Sequence, residues 1–227
     1  MGSYTARRGP RTGALLWRVE AEPGDLRILP DGVMDLMWSE GRFLFAGADT
    51  TAMISSSETG GVTWGLRLPP GAAHVLMGIP AHELTDQRFD LSELITVPNM
   101  VTESAHADPA AALERLLVTR WEKAAPEASA LRLAESLDKT ARAGLSVTDM
   151  AYRHGLSERT LRRVSDKLFG YGPKTLTAIH RFQYALHLAR SGTPLAEAAT
   201  MAGYVDQSHL NRDAQRLAGT TPGALAA

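Results

Sequence analysis

Residues 145–170, LSVTDMAYRHGLSERTLRRVSDKLFG, and residues 193–222, TPLAEAATMAGYVDQSHLNRDAQRLAGTTP, follow one plan twice. Each has an Ala-containing helical run, a Gly turn, a capping residue, and a second run with Leu and Arg two positions apart. Those positions are Leu161 and Arg163 in the first unit, Leu210 and Arg212 in the second. Repetition in order and spacing points to duplicated helix-turn-helix architecture. Ser146 is placed as an N-cap, with Asp149 three residues later completing a capping-box pattern. Val147, Met150 and Ala151 point inward, Gly155 suits the positive φ that ends the helix, and Leu156 plugs the turn. Ser157 then caps a second helix with inward Leu161, Val164 and Leu168. Arg159, Arg162 and Arg163 are left on the outer face of its N-terminal half, the part of a recognition helix that enters a major groove. Arginine pairs with guanine edges or holds phosphate; a solvated basic face on a structural helix is the alternative.

The second unit repeats the logic. Thr193-Pro194 starts its first helix, and Ala198, Ala199 and Ala202 are small enough for close helix crossing. Gly203 turns the chain, Val205 is expected to fill the turn, and Asp206 caps the second helix. Its outer positions are Gln207, Ser208, Asn211 and Arg212, with Leu210 and Leu217 inward. Gln and Asn can read adenine through paired donor and acceptor groups, and short polar residues are also ordinary helix surface. Between the units, Leu176, Ile179, Phe182, Leu186 and Ala189 recur at helical spacing. A helix over residues 174–191 would be about 27 Å long at ~1.5 Å per residue. A rod of that length suits two reading helices about one DNA turn, roughly 34 Å, apart.

From about residue 146 to 222 the chain resembles the DNA-binding domain of the AraC/XylS family of transcriptional regulators. The matching features are A-x-x-x-G-L-S with L-x-R in the first unit, G-Y-x-D-Q-S-H-L-x-R in the second, and the closing G-T-T-P. The resemblance implies a two-unit domain gripping one face of promoter DNA. Matched residue by residue, its groove-contacting positions fall on Arg159, Arg162, Arg163, Gln207, Ser208, Asn211 and Arg212. The family usually carries an aromatic two residues after each L-x-R arginine; Ser165 and Ala214 stand there, which puts the packing of the second unit in question. Phe169 is a candidate to fill the lost volume in the first. The N-terminal region is similar to the sensory half of a subset of these regulators through LPDG with DLMW (residues 29–38), AGADT and LPPGAA. That similarity implies a β-rich effector or interaction domain.

The remaining sequence fits this division. The 227 residues suit one large or two small domains, with no apolar run long enough for a bilayer and no signal-peptide core, so a soluble, cytoplasmic protein is expected. Absence of cysteine removes disulfides, thiolate nucleophiles and cysteine metal ligands. From residue 141 onward there are 11 Lys/Arg and 6 Asp/Glu, against 13 and 19 before it. A basic C-terminal part beside an acidic N-terminal one suggests that only the former meets a polyanion.

Residues 1–12, with Arg7, Arg8 and Arg11, read as a flexible arm. Over residues 13–107, ALLWRVE, LRILPDG, VMDLMW, RFLFAG and VTWGLRL are short apolar or alternating runs punctuated by turn residues. They predict an antiparallel β-barrel or sandwich-like domain with Leu16, Ile28, Leu36, Trp38, Leu44, Trp64 and Leu66 inside. Asp108-Pro109 opens the first of two connecting helices over residues 108–143, with Leu113, Leu116, Leu117 and Trp121 on one face. Leu131, Leu133, Ala134 and Leu137 supply the second. These helices cover the β-domain or pair with another subunit. Arg142-Ala143-Gly144 is the expected junction to an all-α domain over residues 144–227, giving an α+β chain overall.

Enzymatic readings find little support. His74, His82 and Glu83 lack metal-ligand spacing, and no nucleophile elbow, phosphate loop or dinucleotide fingerprint is present. No cofactor is expected. Asp35, Trp38, Trp64 and Arg67, with Met34, Met37 and Met77 nearby, are candidates for an effector pocket; core packing is the alternative use of such residues. The expected partners are double-stranded promoter DNA, a small-molecule effector, RNA polymerase for an activator, and a second copy of the chain, with no membrane. The competing reading is a small-molecule-binding or enzymatic β-barrel with a helical protein-interaction tail.

Overall fold

The computed structural model describes residues 3–226. The alternating runs form strands β1 (Ser3–Arg8), β2 (Leu15–Ala21), β3 (Gly24–Ile28), β4 (Asp35–Ser39), β5 (Arg42–Ala46), β6 (Met53–Ser57), β7 (Gly61–Arg67) and β8 (Arg88–Asp90). They are laid out as an open antiparallel sheet in the order β1-β2-β7-β4-β5-β8, with β3 and β6 as a separate two-stranded ribbon. The register sets Leu36 opposite Leu66 and Phe45, and Trp38 opposite Trp64 and Phe43. Residues directly opposite share a face, so one face gathers Leu16, Leu36, Phe43, Phe45 and Leu66, each at most 4% exposed. Fully burying a Leu or Phe contributes about 1.5–3 kcal/mol.

Short helices α1 (Ala72–Met77), α2 (Leu91–Leu94) and α3 (Asn99–Ala107) precede α4 (Pro109–Ala124). Asp108 caps α4 by accepting from the Ala111 N–H, with Pro109 in the first turn. Leu113, Leu116 and Leu117 of α4 are buried against β4, β7, α1 and α3. The other connecting helix, α5 (Ala128–Arg142), takes a different partner. It packs on α8 (Pro173–Arg190) and α6 (Val147–Arg153), and Asp138 accepts from His180 Nε2 at 2.8 Å. Both connecting helices are thus covered within the chain, one on each body. The helical body therefore reaches back to Ala128, while Gly144 (φ 73°) forms the turn between α5 and α6.

Residues expected as a flexible arm are instead an edge strand. β1 pairs with β2 from Ser3↔Glu20 to Arg8↔Leu15. The turn that follows is pinned by Glu114 of α4, whose Oε1 accepts from the Arg11 and Thr12 N–H groups and from Thr12 Oγ1 at 2.9–3.0 Å. All six β1 residues are exposed, so the strand exists through its ladder hydrogen bonds and no apolar pattern announces it. Met1 and Gly2 of the arm lie outside the described residues. No helix among the described residues is long and apolar enough to cross a membrane.

Candidate nucleic-acid interface

The C-terminal region holds two helix-turn-helix units on one rod. The first consists of α6 and α7 (Glu158–Phe169), the second of α9 (Leu195–Met201) and α10 (Gln207–Ala218), with α8 between them. Caps fall where the sequence places them. Ser146 accepts from Asp149 N–H, Ser157 from Thr160 N–H, and Asp206 from His209 N–H. Such caps satisfy N–H groups that the first turn leaves unpaired. Gly155 and Gly203 take φ of 63° and 83° at the two inter-helix turns.

Arg159, Arg162 and Arg163 on α7, and Gln207, Ser208, Asn211 and Arg212 on α10, are all exposed. Arg162 Nε lies 4.0 Å from Asp166 Oδ2, with the arginine side chain 79% exposed. Among the described residues no hydrogen bond or ion pair occupies the side chains of the other six. Elsewhere in the helical body several arginines are held by internal partners. Asp213 of α10 ties Arg181 of α8 at 3.0 Å and Arg216 of α10 at 2.9 Å, and Arg142 binds Asp138 at 2.7 Å. Burial alone would raise the Asp213 carboxyl; hydrogen bonds from Arg216 and Arg181 outweigh it and hold it below the ordinary carboxylate range. The same balance, with His180 and Arg142 as donors, lowers Asp138.

The second turn departs from expectation. Val205 is 86% exposed, whereas Tyr204 is 3% exposed and fills the turn. Its ring lies 4.3 Å below the Arg181 guanidinium and meets His209 edge-on at 5.0 Å. A bulky aromatic at a buried turn position leaves the next residue to face solvent. Tyr204, Arg181 and Asp213 together latch α10 to α8, a role the sequence reading did not assign; the G-Y pair was its visible trace.

The unusual residues after each L-x-R are accommodated. Ser165 is 1% exposed, and its hydroxyl donates to the Tyr171 carbonyl at 2.7 Å, turning the chain between α7 and α8. Phe169, 4% exposed, joins the core there, and Ala214 is fully buried. The space flanked by residues 144–147, α8 and α10 is a groove of about 630 Å³ with Lys174, Arg181, His209 and Arg216 on its walls.

The candidate effector residues do not come together. Trp38, 6% exposed, lies on the core face with Trp64, against Phe43 and His106. Asp35 and Arg67 are each three residues away along their strands, hence on the opposite face. There Asp35 accepts from Trp17 Nε1 at 3.1 Å, and Arg67 binds Asp31 at 2.5 Å and approaches Asp35 at 3.7 Å. Burial, partly offset by Arg67, raises Asp31 to about 6 and raises Asp35 as well. One pocket lined by all four side chains is excluded by the alternation of the strands.

An N-terminal antiparallel β-domain is thus joined to two capped helix-turn-helix units that carry exposed basic and amide side chains. Residues 150–227 match the family described as helix-turn-helix domain, and residues 14–90 match a domain of unknown function (DUF6597). Among solved structures, ToxT from Vibrio cholerae O395 aligns over 99% of this chain and 97% of its own at 10% identity, with a TM-score of 0.52. ToxT bound to (E)-4-(8-methylnaphthalen-1-yl)but-3-enoic acid aligns over 99% and 98% at 9% identity, with a TM-score of 0.51. A probable AraC family transcriptional regulator from Rhodopseudomonas palustris CGA009 covers 42% of this chain and 94% of its own at 20% identity, with a TM-score of 0.37. Comparison with curated proteins returns no match. The helix-turn-helix match lies within the C-terminal region, and the likeness to ToxT, at 10% identity, is one of fold.

Proposed function

We propose that the chain binds promoter DNA by inserting the N-terminal halves of α7 and α10 into successive major grooves on one face of the duplex. The observation that carries this reading is the contrast among its arginines: Arg181 and Arg216 are bound by Asp213, whereas Arg159, Arg163 and Arg212 are exposed without intramolecular partners. An unpaired guanidinium on a recognition helix is available to guanine or phosphate without first breaking an internal ion pair. Gln207, Ser208 and Asn211 beside Arg212 supply donors and acceptors suited to base edges. The first unit, richer in arginine, grips; the second, more polar, adjusts sequence preference. Transcriptional control enters through the N-terminal domain, by a small molecule or by assembly of copies. The shared fold of ToxT with its bound naphthalenyl butenoic acid supports the small-molecule route. Contact with RNA polymerase belongs to this reading if the protein activates.

The full chain carrying Arg163→Ala and Arg212→Ala tests the interface. Duplexes selected by the wild-type protein from a random pool should bind the variant with a loss of about 1–3 kcal/mol for each base-reading arginine, and with relaxed preference at the affected positions. Where an arginine holds phosphate instead, the loss is uniform across sequences and the salt slope becomes shallower by about one. Wild-type affinity, preference and salt slope in the double variant would remove the interface from these helices.

A further inference from the structure

The two candidate recognition helices are held at their far ends by the β-domain, each by a different segment. α7 ends at Gly170, whose carbonyl accepts from Thr85 Oγ1 at 3.0 Å. The same hydroxyl lies 3.1 Å from the Ala81 carbonyl, so it is shared between the 3₁₀ turn over Ala81–Glu83 and the helix end. Gly170 sits at φ 89°, and a Cβ there would lie 2.2 Å from Thr85 Oγ1, so the approach requires glycine. α10 ends with the Leu217 carbonyl accepting from Ala52 N–H at 2.7 Å and the Ala218 carbonyl accepting from Arg27 Nη1 at 2.6 Å. Arg27 lies on β3, paired with Ile54 of β6, and Ala52 immediately precedes β6. The β3–β6 ribbon is thus the element that reaches the second unit. Between the two grips, Gln183 Nε2 of α8 donates to the Pro30 carbonyl at 2.7 Å, and Gly32 packs against the His180 ring.

The last carbonyls of a helix have no partner within it and carry the negative end of its dipole, so donors and cations from outside bind them well. Here those donors come from the β-domain and engage both helices. α8 and its Asp213 latch already join the two units from within; the β-domain joins them a second time from behind. The exposed side chains of the N-terminal halves that would meet DNA take no part in either connection.

We propose that the β-domain sets the separation and tilt of α7 and α10, with Arg27 and Thr85 as the positioning residues that fix the spacing between the two DNA segments the protein reads. The proposal rests on the two-groove reading above. A displacement of the β3–β6 ribbon or of the Thr85 turn then changes which spacing is accepted without touching a residue at the DNA. In this way a signal received in the N-terminal domain alters operator choice.

The test uses the full chain and duplexes selected from a random pool by the wild-type protein, together with versions carrying one base pair inserted or deleted between the two contacted segments. Affinity is measured at one fixed salt concentration, and circular dichroism and thermal melting verify folding. Wild-type protein should bind the altered spacings more weakly than the selected one. In Arg27→Met and in Thr85→Val that discrimination should shrink about three- to tenfold, the scale on which losing a helix-end interaction changes an equilibrium. Arg27→Lys, which keeps a cationic donor, should restore much of it, which keeps the test decisive if Arg27→Met folds poorly. Variants that bind every duplex more weakly by one common factor, or that keep the wild-type discrimination, overturn the positioning role. A wild-type protein that selects no sequence, or only a single contacted segment, overturns the two-groove reading itself.

Discussion

Asp31 concentrates the electrostatics of the LPDG turn. Its carboxylate binds Arg67 at 2.5 Å and accepts from the Val33 N–H, yet burial pushes its pKa from 3.8 to about 6. A carboxyl whose folded pKa is raised binds its proton more tightly in the native state, so its ionisation costs stability. That contribution is fully present below about pH 3.8 and is lost as pH rises through about 6. Asp31→Asn keeps an acceptor for Val33 and Arg67 without the charge, so its melting temperature relative to wild type should be higher at pH 7.5 than at pH 4.5. Solvent reaches 37% of the side chain, which screens the effect and keeps it small; a difference that does not vary with pH contradicts the assignment. Asp213 and Asp138 carry the opposite sign. Their lowered pKa values contribute stability above about pH 3.8 that is lost as acid protonates them. Removing the latch with Asp213→Asn should lower stability by about 1.5–3 kcal/mol, the range for hydrogen bonds to charged groups, as read from urea melts at pH 7.

At the scale of elements, what the sequence conveys depends on whether the signal is local. The caps at Ser146, Ser157 and Asp206, the turns at Gly155 and Gly203 and the 3.6-residue periodicity of α7, α8 and α10 are all legible, because each acts within a few residues. β1 and β6 are not, because SYTARR and MISSS carry no apolar alternation and become strands only by pairing with β2 and β3. The effector candidates erred in the other direction. Asp35 with Trp38, and Trp64 with Arg67, are separated by three residues, and strand alternation already sends each pair to opposite faces. Val205 lost the second turn to Tyr204 because the partner that selects the aromatic, Arg181, lies far away on α8. Glu114 tests the pinning of β1. With the Glu114→Ala substitution, three hydrogen bonds to residues 11–12 are lost, at a cost of about 1–3 kcal/mol. Hydrogen exchange should then speed up across β1 while the amides of α7 and α10 keep their protection. Unchanged exchange in β1 would mean that its ladder with β2 suffices.

At the scale of the molecule, the chain is a β-domain and a helical body whose contact regions include the 3₁₀ turn with Thr85, the LPDG turn, the β3–β6 ribbon and the start of α1, where Gly71 meets Ala134 of α5 and Leu168 of α7. The division of charge seen in the sequence corresponds to a division of labour in the proposed account, in which the basic helical body meets the polyanion and the acidic β-domain stands behind it. α4 and α5, neighbours in the sequence, belong to different bodies, so the covalent link between those bodies runs through the short segment after Ala124. The central claim is that one polypeptide reads two adjacent major-groove faces. Methylation interference on a duplex selected by the wild-type protein tests it most directly, since N7 methylation of guanine blocks the major groove alone. The account predicts two interfering blocks on one face, about ten base pairs apart, with Arg163→Ala weakening one and Arg212→Ala the other. A single block, or two blocks that respond together to either substitution, would contradict it.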